Sequence, residues 1–112
     1  MSKSIITNYE NISTFSGKPA ECEHHCIFGA GMRTLADEDR LVIFLTSEEH
    51  NMSSRGTIYQ IHGNIAAEKL SKMVGQLAWE KQYLIEKYEL PFENLSDEAR
   101  EAFKDRYGKS FL

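Results

Sequence analysis

All four histidines of this chain fall between positions 24 and 62: His24, His25, His50 and His62. Imidazole is the commonest protein ligand for transition metals and the usual general base near neutral pH, so the group points to a metal centre, a base, or both. His24 and His25 are adjacent. On a strand they would face opposite sides, and they can share one site only where the strand bends or ends. Gly29-Ala30-Gly31 supplies such an end, because glycine takes backbone turns that other residues resist. That loop lacks the Lys-Ser/Thr continuation of a phosphate-binding loop and reads as a turn. The plain alternatives are a buried, hydrogen-bonded strand-end pair for His24 and His25, a surface residue in a first helical turn for His50, and a loop residue for His62. Cys22 and Cys26 are the only cysteines, spaced for neither a zinc knuckle nor a redox pair, and read as buried free thiols.

The elements that must position these residues follow from local pattern. Residues 1–15 suggest a short strand or arm, and Ser16-Gly17-Lys18-Pro19 a turn. Ala20 to Phe28 reads as extended, Met32 to Asp39 as a helical turn or irregular loop, and the apolar run 41–45 as a buried strand. Thr46 to His50 looks like a helix start with Ser47 as N-cap and Glu48 and Glu49 complementing the dipole; Met52 to Gly56 is a loop. From Asn64, a candidate cap, the period becomes helical. Ala66, Leu70, Met73, Val74, Leu77, Leu84, Ile85 and Tyr88 form a stripe read as core, with Trp79 at its edge and Pro91 and Asn94 at the exit. A last helix starts at Ser96, with Ala99, Ala102, Phe103 and Tyr107 on one face and Gly108 as its stop. The acidic groups Asp37-Glu38-Asp39 and Glu48-Glu49 read as solvated faces.

The chain has 112 residues, 13 Lys+Arg against 17 Asp+Glu, and a net charge of −4. That length suits one domain, and the composition is that of a globular protein. The run Leu41 to Leu45 is too short to span a bilayer, and the first residues lack a signal-peptide pattern, so no membrane partner is expected. Non-specific polyanion binders are normally basic, so any nucleic-acid role must rest on a local site.

A strand ending in His24-His25, a glycine loop, a second strand and a helix start carrying His50 together resemble the ββα-metal finger of the HNH endonuclease family. The resemblance runs through "GKPAECEHHCIFGAGMR" (Gly17 to Arg33), "LVIFLTSEEHN" (Leu41 to Asn51) and "IHGN" (Ile61 to Asn64). The downstream helices look similar to those of small phage- and prophage-associated relatives. It implies an α+β fold, a finger over about 17–62, and appended helices over about 64–89 and 96–108 in one domain, 1–112. It further implies hydrolysis of phosphodiester bonds in nucleic acid, DNA in the first instance. His25 would be the catalytic base, and His24 and His50 would hold one divalent metal (Mg, Mn, Ni or Zn), with His62 a further ligand. Arg33 and Asn51 would lie on the substrate side. The family's central Asn has no counterpart; Asp39 and Arg40 occupy its region. The alternative is a non-catalytic, phage-encoded binding or accessory protein on the same fold. A cytoplasmic location in a bacterial host is expected, with a homodimer through helix 66–88 as a further possibility.

Overall fold

The computed structural model describes residues 4–88 and 96–112. The expected helix exit at Pro91 and Asn94 lies outside the described residues. The fold is α+β, with a two-stranded antiparallel sheet and helices packed on it. Strand β1 (Cys22–His25) pairs with β2 (Val42–Leu45), His24 opposite Ile43 and His25 opposite Val42. Helix α1 (Met32–Glu38) connects them, so the stretch with two expected outcomes is helical. The bend before it takes left-handed backbone at Gly29 (φ 92°), Ala30 (φ 46°) and Gly31 (φ 84°). Ala30 holds that conformation against its own Cβ.

A π-helical turn, Glu48–Met52, follows β2, and a 3-10 turn, Thr57–Tyr59, precedes helix α2 (Ile65–Lys87). Ser47 is not the cap of the first turn. It already has helical dihedrals and its side chain makes no capping bond. Thr46 and Glu49 cap reciprocally instead: the Glu49 N–H donates to Thr46 Oγ1 at 3.3 Å and the Thr46 N–H to Glu49 Oε1 at 2.9 Å, the pattern of a capping box. At α2 the expected cap holds, with Asn64 accepting from the Ala67 N–H at 3.2 Å. Helix α3 (Ser96–Tyr107) closes at Gly108, whose N–H reaches the Lys104 carbonyl at 2.7 Å. Residues 4–15 form an arm with one isolated bridge, Ile12 to Pro19, rather than a strand.

The core forms two apolar clusters: Ile27, Ala36, Leu41, Phe103 and Tyr107 in one, and Cys26, Ile43, Leu45 and Ile61 in the other. The α2 stripe read as core faces outward. Leu70 is 61% exposed, Leu77 53%, Ile85 48% and Val74 44%. The face of α2 that packs inward carries Ser71, Gly75, Gln76 and Glu80, all buried. Hydrophobic periodicity reports that a helix has two faces. Here the small and hydrogen-bonded face is the one that meets the protein. Gly75 explains the choice: a Cβ there would stand 2.8 Å from Ile27 Cγ1, so only glycine lets α2 come this close to the exit of β1.

The acidic groups are not merely solvated. Asp39 accepts from Trp79 Nε1 (3.0 Å), Arg106 and the Tyr107 hydroxyl (2.8 Å), tying α1 to α2 and α3. Among the described residues no helix is long and apolar enough to cross a membrane.

Candidate metal centre

Strand alternation holds for the histidine pair. His24 points toward α2 and is fully buried; His25 points toward α1 and is 8% exposed. Both nonetheless come near the same two imidazoles, His24 by ring contact and His25 by lining a cavity with them. The His24 ring packs edge-on against His50 and His62, with centroids 5.1 Å away in each case, and the His50 and His62 centroids are 4.6 Å apart. His25 lines a small cavity of about 80 Å³ with His50, His62, Phe28, Arg33 and Glu23.

The chain between His50 and His62 is stitched so that these rings must meet. The Ile61 N–H donates to the Glu49 carbonyl at 2.9 Å and the His62 N–H to the His50 carbonyl at 3.0 Å. The ring atoms His50 Nε2 and His62 Nε2 then stand 3.0 Å apart. Two nitrogens on one tetrahedral zinc ion stand about 3.3 Å apart, so this pair is close to the edge of such a site. Ligand atoms of His24, His50 and His62 all lie within 4.8 Å of one another.

The tautomer of His24 follows from its neighbours. The Ser71 hydroxyl donates its one hydrogen to the Cys26 carbonyl at 2.8 Å, so at 2.7 Å it must accept from His24 Nε2–H. That leaves His24 Nδ1 as a lone pair, and this atom is buried with no hydrogen-bond partner. An orphaned acceptor of this kind needs an explanation. A cation shared with His50 and His62 provides one, and the donor set, all imidazole nitrogen, fits later transition metals better than magnesium.

The electrostatics favour the neutral form of His24 and His50. Burial, reinforced by His50, His62 and His25, pushes the His24 pKa down to about 3, and burial beside His62, His25 and Arg33 lowers that of His50. Neutral imidazole is the ligating form. Burial pushes Cys26 up to about 12, so its thiol is protonated in the metal-free protein. His62 Nδ1 lies 3.8 Å from Glu68 Oε2, and that oxygen is itself held by the Gly63 N–H.

Of the residues singled out in the sequence, His24, His50 and His62 converge, and His25 borders the same cavity. Arg33 lines its rim, exposed to solvent. Asn51 is exposed and does not line the cavity, because in the π-helical turn the residue after His50 points away from it. Sequence reading missed Ser71 and Asp37. Ser71 had a legible signal, since Ala67, Ser71 and Gly75 repeat small side chains every fourth residue along one helix face. Comparison of the chain with family models, curated proteins and solved structures gives no match.

Proposed function

We propose that this protein is a metal-dependent nuclease of the HNH type, its ββα finger formed by β1, β2 and the turn carrying His50. The observation that carries the reading is the lone pair of His24 Nδ1, buried and unpartnered, on a ring packed edge-on against His50 and His62. These three imidazoles would hold one divalent cation, with zinc, nickel or manganese ahead of magnesium. Such an ion supplies charge stabilisation to a phosphate oxygen and its leaving group. Ser71 sets the His24 tautomer, and the backbone stitch between His50 and His62 sets their separation. His25 takes the proton from the attacking water, and Arg33 on the rim offers a guanidinium to a phosphate oxygen. DNA is the first substrate to test.

The non-catalytic reading is favoured by two observations. The net charge of −4 and the exposed Glu23 on the cavity rim both oppose a polyanion. Titration calorimetry with Zn²⁺, Ni²⁺ and Mn²⁺, run beside plasmid cleavage with the same ions, separates the two. Binding with cleavage that H25A abolishes supports the nuclease. Binding without cleavage supports an accessory protein. No binding by any of the three ions overturns the metal centre itself.

A further inference from the structure

On the face of β1 opposite Ser71, hydrogen bonds run from Glu23 through Arg40 and Asp37 to His25. His25 Nε2 stands 2.9 Å from Asp37 Oδ1. The same oxygen accepts from Arg40 Nη1 at 3.0 Å, and Arg40 Nη2 donates to Glu23 Oε1 at 2.9 Å. Arg40 is fixed by its backbone as well. It ends α1 in left-handed conformation (φ 56°), its N–H on the Asp37 carbonyl and its own carbonyl accepting from the Ile5 N–H. Its side chain is only 16% exposed.

Glu23, His25 and Asp37 are close enough to suggest a second cation site. The Arg40 guanidinium already bridges both carboxylates and supplies the positive charge there, so the group is a support rather than a site. What it supports is His25. A carboxylate only accepts, so the hydrogen on that edge of the imidazole sits on Nε2, and in the neutral ring the lone pair is then on Nδ1. Among the described residues no protein group takes Nδ1, and the ring borders the cavity shared with His50 and His62.

We propose that Asp37, braced by Arg40, is a positioning residue that holds His25 as the Nε2–H tautomer and so keeps Nδ1 free as the proton acceptor at the cavity. Its consequence for catalysis rests on the nuclease reading; the tautomer does not. Asp37 acts through the imidazole. Without it, His25 distributes its proton between two nitrogens and loses its fixed orientation.

The test is imidazole ¹H–¹⁵N correlation on the full, ¹⁵N-labelled chain, with His25 assigned from the spectrum of H25Q. The wild type is expected to show His25 as Nε2–H alone. In D37N the amide can turn either its oxygen or its NH₂ to the ring, and in D37A the partner is gone; both are expected to show mixed tautomers. Plasmid cleavage with saturating metal should then show kcat lowered about 10- to 100-fold, with KM and metal affinity unchanged. Wild-type His25 as Nδ1–H, or Nε2–H retained in both variants, overturns the proposal. Mixed tautomers with kcat unchanged overturn its catalytic consequence. A wild type that cuts no DNA with any metal overturns the nuclease reading instead, while the tautomer result still decides the role of Asp37. Should D37A fail to fold, the wild type and the near-isosteric D37N carry the test.

Discussion

Gly75 sits in the middle of a helix, where alanine is ordinarily the better residue by about 1 kcal/mol. Gly75→Ala would therefore stabilise an isolated α2. In the folded protein the new methyl would stand 2.8 Å from Ile27 Cγ1, 3.1 Å from Ile27 Cδ1 and 3.2 Å from Cys26 Cβ. Comfortable carbon contacts begin at about 3.5 Å, so three atoms must each give ground. Ile27 and Cys26 are both fully buried. Overpacking of this kind costs about 1–3 kcal/mol, and with one contact at 2.8 Å and two more at 3.1 and 3.2 Å the upper part of that range, about 2–3 kcal/mol, is expected here. After the propensity gain the net loss is about 1–2 kcal/mol, or a fall in Tm of at least ~4 °C for a domain of this size. Thermal denaturation followed by circular dichroism measures it, with Leu77→Ala on the exposed face as a control expected to stay within about 0.5 kcal/mol. A Tm for G75A equal to or above the wild type would refute the close approach of α2 to β1, and with it the placement of Ser71 against His24.

Four further outcomes follow from the same geometry. Ser71→Ala strands a buried His24 N–H, costs about 1–3 kcal/mol, and lowers zinc affinity about 10- to 100-fold by freeing the tautomer; calorimetry on the folded variant showing unchanged affinity would sink this account. In metal-free protein the lowered His24 and His50 pKa values mean that the unfolded chain binds more protons than the folded one. Their contribution is complete above about pH 6.5 and is lost as pH falls toward about 3, His24 alone giving up to about 1.4 kcal/mol per unit. Urea midpoints that do not drop between about pH 7 and about pH 5 contradict it. Ala30→Gly relieves a left-handed alanine and should raise stability by up to about 1 kcal/mol, readable as a higher urea midpoint. Light scattering after size exclusion tests the homodimer expectation, whose surface on α2 would be the exposed Leu70, Val74, Leu77 and Ile85; if a dimer forms there, L77E makes it monomeric.

Much of the scaffold was readable because its signals are local. The apolar run 41–45, the glycine bend, the Asn64 cap and the Gly108 stop each depend on residues close in sequence. The three metal-ligand candidates were readable by type alone, since few side chains but imidazole suggest such a site. The failures share a different cause. The outward-facing stripe of α2 was misjudged because a period says nothing about which face a protein covers. Ser47 was preferred to Thr46 although Thr46 and Glu49 have the spacing of a capping box. Asp37 looked like one of a solvated acidic run; its bond to His25 depends on how α1 folds back over β1, and no local pattern encodes that.

The place of Ser71 also bears on modularity. Three imidazoles come from the stretch 17–62, which invites treating that stretch as a portable cassette. Yet the hydroxyl that decides which nitrogen of His24 is free comes from α2, and so does the glycine that brings it into range. A fragment cut before α2 would keep every candidate ligand and lose the group that sets the tautomer of one of them. The smallest transplantable unit therefore runs through Gly75, and a graft of residues 17–62 alone would carry the imidazoles without the hydroxyl that orients His24.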